Sequence, residues 1–179
     1  FRTLSGEFYM GTAGAEQGDE IVLCPKGDES ILWQVKKVGK AFVLVNRATG
    51  MALDVMMEGT EDGTLLHQWE DLAAESQMWN IKFDRKGGCQ IISKKAERCV
   101  DIAGMAVAEG ACLQLWENVK GENQQWVMED PTLPEPEKKP AAKKPAAKKA
   151  EEKTTKAAEK APAKKKETAP KAAKTTKKK

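Results

Sequence analysis

Apolar residues in the first 130 positions fall in short runs: EIVLCP, AFVLVNR, MALDVM, TLLHQW, MWNIKF, CQIIS, CVDIA, CLQLW and QQWVM. Turn-forming Gly, Asn, Asp and Lys separate them at intervals of roughly 8 to 12 residues, the cadence of an all-β chain. No segment of this region sustains a 3.6-residue apolar period, so the pattern predicts strands rather than helices.

The runs also repeat. MALDVMMEGTEDGTLLHQWEDLAAESQMW (Met51 to Trp79) aligns with RCVDIAGMAVAEGACLQLWENVKGENQQW (Arg98 to Trp126). In each, an Asp (Asp54, Asp101) precedes a Trp (Trp69, Trp116) by 15 positions, and a second Trp (Trp79, Trp126) follows ten later, two residues after a Gln (Gln77, Gln124). A weaker copy, GEFYMGTAGAEQGDEIVLCPKGDESILW (Gly6 to Trp33), comes first, and the closing tryptophans Trp33, Trp79 and Trp126 stand 46 and 47 residues apart. Self-similarity at a fixed period marks a repeat architecture. Units of about 1–41, 42–88 and 89–130, each with about four strands, predict a closed threefold barrel, because closure removes exposed strand edges.

The copies are unequal. The first offers Met10 or a neighbour where Asp54 and Asp101 stand, Cys24 where Trp69 and Trp116 stand, and Ser30-Ile31-Leu32-Trp33 in place of Asn123-Gln124-Gln125-Trp126. It keeps the framework and loses the polar set.

Gln-x-Trp closing the units, Leu-Asp-Val or Val-Asp-Ile near their start and Leu-Gln-Leu-Trp in the middle together resemble the ricin B-type (R-type) lectin family, whose β-trefoil repeat also occurs in carbohydrate-binding modules of bacterial glycanases. The resemblance covers essentially residues 1–130 and implies an all-β β-trefoil that recognises galactose- or N-acetylgalactosamine-type glycans. A hexopyranose has one relatively apolar face and a rim of hydroxyls, so an aromatic ring can cover the face while a carboxylate and amides hold the rim. Carried onto this sequence, the third unit supplies Asp101 as acceptor for two adjacent hydroxyls, Trp116 as platform, Asn123 as rim amide, and Gln114 and Gln124 as supports. The second supplies Asp54, Trp69, Ser76 and Gln77, with His67 where Gln114 stands. Ser76 is shorter than Asn123, which implies an altered preference there. The first unit is expected to be silent.

Plainer roles compete for some of these residues. Trp33, Trp79 and Trp126 are expected in the core, and Gln77 and Gln124 can satisfy backbone groups. Trp69 and Trp116, each followed by an acidic loop, are expected to face solvent. His67, the lone histidine, reads as a packing or hydrogen-bonding residue, since no His/Cys cluster accompanies it. The turn Glu58 to Gly63 lacks the ligand positions of a calcium loop. No cofactor or metal is implied. No nucleophile elbow or phosphate-cradling loop is present, and the acid of each unit recurs with its platform instead of a second carboxylate. The chain reads as a binder, not an enzyme.

Composition divides it sharply. Residues 131–179 carry 17 Lys and 6 Glu, net +11, against a net charge of +3 for the whole chain, which leaves the repeats acidic at −8. With 7 of the 8 prolines and no aromatic residue, this tail has nothing from which to build a core and is expected to be disordered. Its proline-free stretch 146–161 can become helical on a partner. A polyanion ligand (nucleic acid, anionic membrane or sulfated glycan), nuclear import through KKPAAKKPAAKK, and a flexible spacer all remain open for it. Any nucleic-acid contact would be electrostatic and salt-sensitive. The β-trefoil could also serve as a protein- or heparin-binding scaffold, actin included. Cys24, Cys89, Cys99 and Cys112 fall at different places in the units, which favours free thiols over a disulfide framework, with Cys99 to Cys112 as the one pairing to check. Those thiols and the basic tail favour the cytoplasm or nucleus. No apolar run approaches the roughly 20 residues of a membrane span, and the chain opens on Phe1 without an initiator Met, leaving room for an upstream segment.

Overall fold

Alternation of apolar and polar side chains produces twelve strands in a computed structural model of the chain, which describes residues 1–130. The basic tail, with the disorder and polyanion binding expected of it, lies outside the described residues. The first unit gives β1 (Arg2–Thr3), β2 (Phe8–Thr12), β3 (Ile21–Pro25) and β4 (Trp33–Val38). The second gives β5 (Ala41–Asn46), β6 (Ala52–Val55), β7 (Leu66–Trp69) and β8 (Trp79–Phe83). The third gives β9 (Gly88–Ser93), β10 (Cys99–Ile102), β11 (Leu113–Trp116) and β12 (Trp126–Val127). Among the described residues no helix is long and apolar enough to cross a membrane.

The outer strands of each unit build the barrel wall. Antiparallel ladders run β4–β5, β5–β8, β8–β9, β9–β12 and β12–β1. The inner strands form one hairpin per unit, β2–β3, β6–β7 and β10–β11. These hairpins meet one another through single bridges, Glu20 to His67, Val22 to Cys112 and Leu65 to Gln114, so each unit touches both others. The architecture is a β-trefoil.

The expected closure is incomplete. β1 and β4 end the run of ladders, and a cavity of about 780 Å³ lies at this seam, lined by Phe1, Trp33, Val35, Arg47 and Met128 among others. The physical reason is length: β1 has only two residues, too few to ladder with both β12 and the six-residue β4.

One core fills the barrel. Met10, Leu23, Leu44, Leu53, Leu66, Ile91, Val100, Leu113 and Leu115 are all fully buried, together with Trp79 and Trp126. Each Leu contributes roughly 1.5–3 kcal/mol by leaving water. The closing tryptophans share one anchor: the indole N–H donates to a carbonyl of the inner hairpin, from Trp33 to Met10 at 2.8 Å, Trp79 to Leu53 at 3.1 Å and Trp126 to Val100 at 3.3 Å. Trp33 differs from the other two in being only partly buried, because it faces the open seam. All four cysteines are free, Cys99 included. Burial pushes the Cys89 and Cys99 thiols up to about 11, so both stay protonated and unreactive at neutral pH. Cys112, half-buried, donates from Sγ to Glu20 Oε2 at 3.4 Å.

Candidate functional site

Register decides which side chains meet. In the third unit Asp101 pairs with Gln114 and Cys99 with Trp116. Because residues two apart on a strand share a face, Asp101, Gln114 and Trp116 point outward while Val100, Ile102, Leu113 and Leu115 point into the core. The 3-10 turn Glu122–Gln124 then brings two more amides to the same carboxylate.

Three side-chain amides converge on Asp101. Gln114 Nε2 donates to Oδ1 at 3.1 Å, while Asn123 Nδ2 at 2.6 Å and Gln124 Nε2 at 3.0 Å both donate to Oδ2. Gln124 also donates to the Glu117 carbonyl at 2.7 Å and accepts from the Val119 N–H. This Gln thus satisfies backbone groups and orients the acid at once. Burial raises the Asp101 carboxyl above its ordinary value, and the Gln114 and Gln124 hydrogen bonds oppose that shift. Trp116 stands beside this box with 38% of its surface exposed, well beyond the fully buried Trp126.

The second unit repeats the plan with different parts. Gln77 Nε2 donates to Asp54 Oδ2 at 2.9 Å and to the Glu70 carbonyl at 2.7 Å, and its Oε1 accepts from Leu72 and Ala74 N–H groups. Asp54 Oδ1 accepts from the Val55 N–H at 2.6 Å. His67, opposite Asp54 in the ladder, stacks on Trp69 with ring centroids 5.3 Å apart and planes 28° off parallel. Burial lowers its pKa and the nearby Asp54 charge partly restores it. A cavity of about 450 Å³ opens here, and Asp54, His67, Trp69, Ser76 and Gln77 all line it.

Several residues of this site escaped the sequence reading. Met56, Met57, Leu72 and Ala74 also line the second-unit cavity. Leu72 and its counterpart Val119 are exposed apolar residues three places after Trp69 and Trp116, a recurrence that position-by-position comparison could have found. The turns after the acids are left-handed at Met57 and Glu58 (φ 51° and 54°) and at Gly104 and Met105 (φ 63° and 57°). For non-glycine residues this conformation costs on the order of 1 kcal/mol or more, and here it borders the acids. Trp69 and Trp116 each also lie beside a turn of the preceding unit: an added methyl at Gly18 would stand 3.8 Å from Trp69 Cζ3, and one at Gly63 would stand 4.0 Å from Trp116 Cζ3.

In the first unit the acid position falls on Gly11, not Met10. Met10 pairs with Leu23 and receives the Trp33 indole, as Val100 does from Trp126, so Met10 occupies the inward-facing place. Nothing could be grafted simply at Gly11, where a Cβ would lie 2.6 Å from both Cys24 Sγ and Ser30 Oγ. Ser30 Oγ instead binds Asp28 Oδ1 at 2.6 Å and accepts from the Thr12 N–H at 3.2 Å. Gly11→Asp is expected to cost about 1–3 kcal/mol through overpacking and to add no sugar response; a urea melt together with a glycoside titration that revealed a new binding event would refute this.

The family described as ricin-type beta-trefoil lectin domain-like matches residues 3–69 and 75–133. No curated protein matches the chain. Among solved structures, the designed threefold-symmetric protein ThreeFoil is 23% identical with a TM-score of 0.68, over 70% of this chain and 92% of that one. The exo-beta-1,3-galactanase of Clostridium thermocellum is 27% identical with a TM-score of 0.67; the match covers 70% of this chain but only 28% of the galactanase. A Macrolepiota procera ricin B-like lectin, solved in complex with lactose, is 22% identical with a TM-score of 0.54, over 67% and 91% of the two chains. With the family match spanning well over half of its residues, this chain belongs to the ricin-type β-trefoil lectin domain-like family.

Proposed function

We propose that the protein is a lectin for galactose- or N-acetylgalactosamine-type glycans, with one site at Asp101 and one at Asp54. The observation that carries this reading is the convergence of three amides on one buried carboxylate beside a half-exposed Trp. A carboxylate offers about four acceptor positions, so with three amides seated Asp101 keeps room on Oδ1 for one ligand hydroxyl. Trp116 covers the sugar's apolar face, and the amide oxygens of Asn123 and Gln114 are free to accept from neighbouring hydroxyls. The second site uses Asp54, Trp69, His67, Ser76 and Gln77 in corresponding places. Shallow sites of this size bind in roughly the millimolar to micromolar range, and two on one rigid domain gain by avidity on a multivalent surface.

The test is an NMR titration of the full chain with methyl galactoside, read at the Trp69 and Trp116 indole N–H signals. Because this ligand is neutral, a response cannot come from lysine-driven polyanion binding. Both signals are expected to shift at pH 7; a titration that moves neither sinks the proposal. Acidification adds a second signature. The Asp101 carboxyl titrates above the ordinary 3.8, so third-unit binding fades at a higher pH than an unperturbed Asp would allow. His67 is held neutral below its ordinary 6.5. Its contribution to stability is therefore complete above that value and is lost as pH falls through it toward the lower folded-state pKa. Protonated His67 would then compete with ligand hydroxyls for Asp54.

A further inference from the structure

Among the differences between the two sites is a matched pair of residues, and that pair carries an inference resting on the lectin reading above. In the third unit Asn123 has Gly121 two places before it; in the second unit the same places hold Ser76 and Ala74. The coupling is steric. A methyl group at position 121 would stand 2.4 Å from Asn123 Oδ1. Asn123 cannot swing away without giving up its 2.6 Å hydrogen bond to Asp101 Oδ2. An Asn on this turn therefore requires a Gly before it. Where the second unit carries a methyl, it carries the short Ser76, and Asp54 takes its hydrogen bonds from Gln77 and Val55 instead.

The exchange changes what the rim offers. Beside Asp101 stands the Asn123 amide, which can hydrogen-bond either a hydroxyl or an acetamido group next to the bound diol and so favours neither. Beside Asp54 the corresponding space is part of the 450 Å³ cavity, whose wall combines the Ser76 side chain with the apolar Ala74, Leu72 and Met57. A hydroxyl next to a methyl and a leucine side chain is a poor partner for another sugar hydroxyl, which would lose water against apolar surface. It suits an acetamido group, whose amide can bond the hydroxyl while its methyl leaves water against Ala74 and Leu72.

We infer that Ala74 and Ser76 make the second-unit site selective for a 2-acetamido-2-deoxyhexose, whereas Gly121 and Asn123 make the third-unit site indifferent to that substituent. The two sites of one domain thereby read two different sugars. A glycan that presents both an acetamido sugar and a plain galactoside is the ligand that engages the domain bivalently.

The experiment titrates the full chain separately with N-acetylgalactosamine and with methyl galactoside, following the Trp69 and Trp116 indole signals as reporters of their own sites. Trp69 is expected to respond to the acetamido sugar at about tenfold lower concentration, and Trp116 at similar concentrations of either. The double change Ala74→Gly with Ser76→Asn should bring the ratio at Trp69 down to that at Trp116, with the Trp116 midpoints unmoved as the check that the fold is intact. Ser76→Asn alone should fail to do so, because the Ala74 methyl blocks the amide. The reciprocal change, Gly121→Ala with Asn123→Ser, should create the preference at Trp116, so the inference is testable even where one variant folds poorly. Equal midpoints at Trp69 in the unaltered chain, or ratios untouched by both double changes, would overturn it while leaving the lectin reading intact. If neither sugar moves either indole, both readings fall.

Discussion

Asp101→Ala is expected to abolish glycoside binding at the third unit and leave the domain folded. The lost interaction is a charge-assisted hydrogen bond to a ligand hydroxyl, worth about 1.5–3 kcal/mol, so affinity should fall roughly tenfold to a hundredfold, enough to take a weak site out of the measurable range. Stability responds far less, for two opposed reasons. The amides of Gln114 and Asn123 lose their acceptor, whereas Gln124 keeps the Glu117 carbonyl. Against that loss, the fold no longer has to hold a carboxylate that burial disfavours. The balance is a cost of about 1–3 kcal/mol within the roughly 5–15 kcal/mol of a small domain. Asp101→Asn sharpens the point, because it preserves shape but turns an amide N–H₂ toward either Gln114 or the Asn123 and Gln124 pair, and it should bind no better than the Ala variant. Calorimetry or the Trp116 indole signal measures both. Near-normal binding by either variant would remove Asp101 from the site.

The largest effect on stability should come from Trp126→Ala. Trp126 is fully buried and its indole N–H holds the Val100 carbonyl. Truncation leaves a cavity that costs about 3–5 kcal/mol, together with a carbonyl deprived of its partner, enough to unfold a marginal domain near body temperature. Trp116→Ala, ten residues earlier in the repeat, is expected to do the reverse: a stability change within about 1 kcal/mol and loss of third-unit binding. Urea midpoints for the pair, measured beside the glycoside titration, test the division between framework and platform. Similar destabilisation by both would mean that Trp116 is a core residue and not a sugar platform.

Much of this was legible in the residues. Strand alternation is local, so the runs around Leu53, Asp54 and Val55 or Val100, Asp101 and Ile102 announce both a strand and which side chains face the core. Comparing copies at fixed offsets separated Trp79 and Trp126 from Trp69 and Trp116, and marked the first unit as lacking the polar set. It left the acid position of the first unit open between Met10 and a neighbour. Met10 and Gly11 are adjacent, and a one-residue step reverses the face of every side chain; only the pairing of Met10 with Leu23 and the bond from Trp33 settle it. The open seam was equally hidden, since closure depends on how many residues β1 can offer to a strand from the same unit's far end.

The sequence by itself determined the all-β class, the threefold repetition, and the two acids with their aromatic neighbours, because periodicity and repeat offsets are properties of the chain read in order. Tertiary structure decided what those residues touch: which amides reach Asp101, how His67 stacks on Trp69, which turn of the preceding unit backs each platform, and why a methyl at Ala74 goes with the short Ser76. Some of those contacts join neighbours on one strand or turn, such as His67 and Trp69, but the amides reach Asp101 from 13 to 23 residues away and the turns beside Trp69 and Trp116 come from the preceding unit. At that scale register and packing are set by the whole fold, not by local pattern.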